Sequence, residues 1–182
     1  MTFADQLTLA RAASVPIVVA LFAIPFAGHN VWGTGVFCVA MATDWFDGRI
    51  ARRTGRTSSF GSLLDPVADK LLVLSTLVVL LDQDVYAAWM VAAIVARELL
   101  ITGLRLAALE RGVVIAARDL GKLKTWSQAL AAAVGGLAAA GAWSDDIAWW
   151  TLLVAVVLTW ISGLDYARSA PSVLRGRAVV SP

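Results

Sequence analysis

The chain has 182 residues, 59% hydrophobic and 15% charged, with a net charge of +2 and a mean hydropathy of +0.77. This is the composition of an integral membrane protein, and it excludes an ordinary soluble domain. One histidine and one cysteine exclude a nitrogen- or sulfur-ligated metal centre and an internal disulfide. The basic residues cluster beside apolar runs, which gives no support to nucleic-acid binding.

A short, mildly amphipathic lead over residues 1–10 precedes an apolar run over 12–27, interrupted by Pro16 and Pro25. Asp5 offsets Arg11, so the basic region of a signal peptide is nearly absent and the run reads as a first span, kinked or tilted. Further spans are expected over about 31–53, 61–81, 85 to beyond 105, 125–142 and 147–164. Cys38 lies inside the second apolar run and is expected to be a buried free thiol. The fifth span is nearly all Ala and Gly, which predicts close helix approach and burial inside the bundle. The sixth is bulkier and more lipid-like, and both appear nearly free of polar groups. The expected fold is all-α, an integral membrane protein of six transmembrane helices. It forms one domain: an interfacial lead (1–10), a six-helix bundle (11–168) and a loose basic tail (169–182).

Lys and Arg gather at the amino end, over 49–56, over 97–124 and in the tail from Arg168. The opposite connections carry His29, Asp82, Asp84, Asp145 and Asp146. The positive-inside rule then puts both termini on the cytoplasmic side of the cell membrane. Trp32, Trp143, Trp149 and Trp150 fall at the outer interface, as an aromatic belt does.

The stretch over 43–70, TDWFDGRIARRTGRTSSFGSLLDPVADK, stands out against this background. Asp44 and Asp47 are three apart and Asp65 and Asp69 four apart, so each pair shares a helix face. The turn-rich run 54–59 joins the two helices as an antiparallel hairpin on which the four carboxylates can converge. The apolar run 31–43 covers about 20 Å and the run 71–81 about 16 Å, both short of a bilayer core of about 30 Å. The aspartates are therefore expected at the cytoplasmic edge of the membrane, where ionised groups are costly and signal function. Close carboxylates share protons or hold cations, and oxygen donors point to magnesium, manganese or calcium. Gly48 and Ala51 share the face of Asp44 and Asp47, and Gly61 shares that of Asp65 and Asp69. Small residues there let a ligand approach the backbone. Arg52, with Arg49, Arg53 and Arg56, supplies positive charge, and metals beside guanidinium suit a diphosphate.

These residues fit the pattern D-x2-D-G-x2-A-R-x8-G-x3-D-x3-D at every fixed position, and by it the chain resembles the CDP-alcohol phosphotransferases. The resemblance implies six membrane helices and a pair of magnesium ions, with manganese as the alternative. It makes Asp44, Asp47 and Asp65 metal ligands and Asp69 a further ligand that also serves as general base. It assigns Gly48, Ala51, Arg52 and Gly61 to the CDP group, with Thr8 and Arg11 as an amino-terminal nucleotide contact. The implied reaction moves the phosphatidyl group of CDP-diacylglycerol to an alcohol and releases CMP. A homodimer in the lipid bilayer is the family's common form.

The flanks TDWFDG and LDPVADK, and Ala96-Arg97-Glu98 followed by Gly121-Lys122-Leu123-Lys124-Thr125, resemble the branch of the family whose acceptor is glycerol 3-phosphate. A sibling branch acting on phosphatidylglycerol shares much of this, more often with Asp where this chain has Glu98. Inositol phosphate is another acceptor to weigh. A phosphorylated acceptor needs cations, and Arg97, Arg105, Arg118, Lys122 and Lys124 are the candidates, with Lys70 at the interface able to steer phosphate. Arg97 has a second reading as an ion pair with Glu98 or a motif aspartate. A cation transporter using the acidic cluster is a distant alternative, since transporters place ion sites at the midplane between repeats.

Overall fold

The computed structural model describes the backbone of residues 3–54, 59–110 and 119–174, and within it the side chains of residues 9–43, 68, 70–108 and 121–168. These form six helices: α1 Phe3–Ala23, α2 His29–Thr54, α3 Ser59–Asp82, α4 Ala88–Glu110, α5 Asp119–Ala139 and α6 Asp145–Leu174. No strand occurs among the described residues. The expected lead is not separate, because α1 runs unbroken from Phe3 across Pro16. Pro25 is the proline that stops it: the residue before a proline is pushed out of the helical region, and the last helical-type bond is Ile24 N–H to Ala20 O at 2.9 Å. Helix α6 outlasts its expected end and continues to Leu174, with 175–182 outside the described residues.

Helix α1 packs on α2 and α3, α5 packs most extensively on α6 and also touches α2 and α3, and α4 joins through α6 and α3. The placement of α5 follows from its sequence. Ala131, Ala132, Val134 and Ala138 are buried, and Gly135 and Gly136 admit Tyr86 and Thr34, whose side chains would clash with any Cβ there. This is the close approach that small residues permit in membrane helices. Around it lie Phe22, Phe37, Leu72, Leu77, Leu80, Met90, Ile94 and Leu152, all essentially inaccessible.

The α1–α2, α3–α4 and α5–α6 connections share one end of the bundle, called here the far end. Asn30 Nδ2 donates to Ala139 O at 2.7 Å and Gln83 Nε2 to Phe22 O at 2.8 Å, satisfying carbonyls that helix ends leave open. Helix α5 stops in a left-handed Gly141 (φ 71°), with Ala142 N–H to Leu137 O at 2.9 Å and Gly141 N–H to Ala138 O at 2.8 Å, a Schellman closure. Helix α3 stops the same way with Asp84 (φ 60°) in the left-handed position and Val85 packed with Leu80 in the core. Asp145 and Asp146 occupy the first turn of α6, where negative charge meets the positive end of the helix dipole.

Large apolar side chains cover the outside: Trp32, Val39, Leu99, Leu100, Trp126 and Trp150 are all exposed. A water-soluble monomer rarely carries such a surface. Among the described residues one segment, Asp145–Arg168, is long and apolar enough to cross a membrane, and Leu9–Ala23 is a shorter apolar helix. Cys38 corrects one expectation, since it is exposed. Helix α2 turns Thr34 and Phe37 inward, and a helix advances about 100° per residue, so Cys38 swings out of the core.

Candidate active site

Helix α2 carries Asp44, Asp47, Gly48, Ala51 and Arg52, and helix α3 carries Gly61, Asp65 and Asp69. Along their helices Asp44 and Asp69 each stand about 15 Å from the α2–α3 connection, and Asp47 and Asp65 about 10 Å. The two pairs are thus matched in helical register. The side chains of these eight residues and of Thr8 lie outside the described residues, as does the whole of Arg118. No group of three or more His, Cys, Asp or Glu among the described residues could hold a metal ion. The motif aspartates remain the metal candidates, and an all-oxygen donor set fits a hard divalent cation.

Lys70 follows Asp69 directly and leads into a polar cluster built by four helices. Its centre is Glu98 on α4, only 3% exposed. Glu98 Oε1 accepts hydrogen bonds from Lys124 Nζ on α5 and from Arg97 Nη1 at 3.2 Å. Glu98 Oε2 lies 3.7 Å from Lys70 Nζ on α3, which also donates to Thr102 Oγ1 at 2.7 Å. Arg97 Nη2 donates to Ser162 Oγ on α6 at 3.0 Å, and a Cβ at Gly163 would sit 3.0 Å from Arg97 Nε. The glycine keeps room for the guanidinium. About two turns nearer the carboxyl end of α4, the Arg105 guanidinium lies over the Tyr166 ring at 5.4 Å, a cation–π pair.

The ion-pair reading of Arg97 is met, since it pairs with Glu98, and it does so among other cations. Lys70, Arg97 and Lys124 share one carboxylate, and no other described acid joins them. Arg97 Nε, Arg105 Nε and Tyr166 Oη are buried without a hydrogen-bond partner among the described residues. A surplus of buried cationic donors is chemically suited to a multiply charged anion such as a phosphate. Lys122 is exposed on α5 and, two residues from Lys124, lies on a different face of that helix. Arg11 is buried on α1.

Sequence reasoning missed the rest of the cluster and understated the polarity of α5 and α6. Gln128 Nε2 donates to Thr159 Oγ1 at 2.8 Å and lies 3.4 Å from Glu98 Oε1, and Ser162 holds Arg97. A signal was present: Thr159, Ser162 and Tyr166 stand at i, i+3 and i+7, one helix face, and Lys124 and Gln128 at i and i+4.

Comparison with known proteins agrees with this chemistry. Residues 1–161 match the CDP-alcohol phosphatidyltransferase family. A Bacillus subtilis (strain 168) protein is 39% identical over 181 residues, covering 89% of this chain and 91% of its own. Proteins of Salmonella choleraesuis (strain SC-B67) and Shigella flexneri are each 38% identical over 170 residues, covering 90% of this chain and 92% of their own. All three relatives bear the name CDP-diacylglycerol–glycerol-3-phosphate 3-phosphatidyltransferase. With the motif in register on α2 and α3 and the match running through nearly the whole bundle, this chain belongs to the CDP-alcohol phosphatidyltransferase family.

Proposed function

We propose that the protein transfers the phosphatidyl group of CDP-diacylglycerol to glycerol 3-phosphate, forming phosphatidylglycerophosphate and CMP. The observation that carries the acceptor is the group of Lys70, Arg97 and Lys124 around the buried Glu98 carboxylate, with Arg97 and Lys124 themselves buried and Lys70 half-buried beside Asp69 in the chain. An acceptor without its own phosphate would leave that surplus charge unanswered. The names of the relatives support the same acceptor.

Asp44, Asp47, Asp65 and Asp69 are the residues to hold a pair of magnesium ions, which when bound would neutralise the diphosphate and stabilise the departing CMP. Gly48, Ala51 and Gly61 leave the backbone open to the CDP group, Arg52 adds a guanidinium, and Thr8 and Arg11 contribute from α1. Asp69 takes the proton of the acceptor hydroxyl. That oxygen attacks the lipid-bearing phosphorus, and the bond from phosphorus to the CMP oxygen breaks. Arg97, Arg105 and Lys124, with Arg118 and Lys122 nearby in sequence, hold the acceptor's phosphate so that its hydroxyl is aligned for attack.

The same reading has six spans, one domain, both termini and the site on the cytoplasmic side of the cell membrane, and a homodimer. The exposed apolar surface and the one-sided basic residues support it. The test is CMP release by purified protein in detergent with CDP-diacylglycerol and magnesium, comparing glycerol 3-phosphate, phosphatidylglycerol and inositol phosphate. Release with glycerol 3-phosphate alone is expected. Release with only another acceptor would overturn the acceptor, and no release with any would overturn the activity.

A further inference from the structure

Glu98 is asked to do something difficult. One carboxylate receives cations from three helices, and two of them, Lys124 and Arg97, converge on the same oxygen. The carbon–carboxylate torsion of a glutamate is broad, so such pulls would swing it unless something fixes it from the remaining side. Gln128 and Thr159 stand on that side. Along their helices both lie about one turn deeper into the bundle than Lys124 and Ser162. Both are buried, Gln128 at 5% and Thr159 at 0% exposed. The Gln128 amide has two hydrogens to give: one goes to Thr159 Oγ1 at 2.8 Å and the other faces Glu98 Oε1 at 3.4 Å. The contact joins α5 to α6 behind a carboxylate of α4.

We propose that Gln128 and Thr159 are positioning residues for the acceptor's phosphate: they fix Glu98, and through it the cationic group of Lys70, Arg97 and Lys124. The inference rests on the acceptor reading above. A pair that only stabilised the bundle would affect both substrates alike or lower thermal stability alone. A positioning pair selectively weakens the acceptor.

The experiment is steady-state kinetics of the full chain in detergent with CDP-diacylglycerol and glycerol 3-phosphate, each varied, for Thr159→Val, Gln128→Met and Thr159→Ser. Val is close to Thr in shape but lacks the hydroxyl, Met keeps the length of Gln without its amide, and Ser keeps the hydroxyl. The first two are expected to raise the glycerol 3-phosphate KM about tenfold, the scale of one buried hydrogen bond, with the CDP-diacylglycerol KM within twofold of wild type. Thr159→Ser is expected to behave as wild type. Unchanged acceptor KM in both variants, equal change in both KM values, or loss of folding in both would overturn the positioning role while leaving the acceptor standing. Wild-type protein inactive with glycerol 3-phosphate would overturn the acceptor reading and this inference together.

Discussion

The two ends of the bundle use polar side chains in opposite ways. At the far end Asn30 of α2 and Gln83 and Tyr86 of the α3–α4 connection each end on a backbone carbonyl of α1 or α5. Their hydrogen bonds close what helix ends and tight packing leave open, and no described charge is buried there. Around Glu98 side chains pair with side chains, three of the pairs being ionic. Burying such a group costs several kcal/mol per ion before pairing offsets it. The far end is therefore a device for stability, while the Glu98 end carries a desolvation penalty that the pairing with Glu98 offsets and that the proposed acceptor phosphate would offset further.

The comparison can be tested in order of effect. Asp69→Asn should lower turnover by about 10²–10⁴-fold, the usual worth of a general base, with CDP-lipid binding largely kept; CMP release near the wild-type rate would remove Asp69 as base. Glu98→Ala leaves three cations without their carboxylate and should cost roughly 3–5 kcal/mol of stability. Thermal unfolding in detergent reads that loss, and an unshifted midpoint would show that the cations have other anchors. Arg97→Ala should raise the acceptor KM about ten- to a hundredfold, the range of a charge-assisted hydrogen bond, and move the CDP-diacylglycerol KM far less. The reverse pattern would reassign Arg97 to the nucleotide.

The far end should respond in stability only. Gly136→Ala forces Thr34 aside and should destabilise by about 1–3 kcal/mol. Asn30→Ala frees the Ala139 carbonyl and should cost about 1 kcal/mol. In both, each KM stays at its wild-type value once the protein is folded; a selective change in either KM would dissolve the contrast between the two ends.

Much of this could be read from the chain. Pattern and composition give the six helices in order, α2, α3 and α4 to within a few residues, because apolar runs and the Gly, Pro and Asp breaks between them are local properties; α1, α5 and α6 extend beyond their apolar runs at the opposite end of the bundle from these breaks. The burial of α5 was legible from its Ala and Gly. The eight-position motif was legible because its spacing is helical. Other features were not. Nothing around Cys38 tells which way that part of α2 faces, and Pro16 and Pro25 look alike as breakers although one is carried through and the other is not. Gln128 and Thr159 were overlooked because each is a lone polar residue in an apolar run.

The sequence alone determined which segments are helices, where the acids sit in register and that the chain belongs in an apolar surrounding, since each follows from the period and hydropathy of neighbouring residues. Only the tertiary structure decided that Lys70, Arg97 and Lys124 share Glu98 and that Gln128 and Thr159 stand behind it. These residues span positions 70 to 159 on four helices. Their meeting depends on how each helix is rotated about its axis, and that rotation is set by packing across the whole bundle rather than by any local stretch.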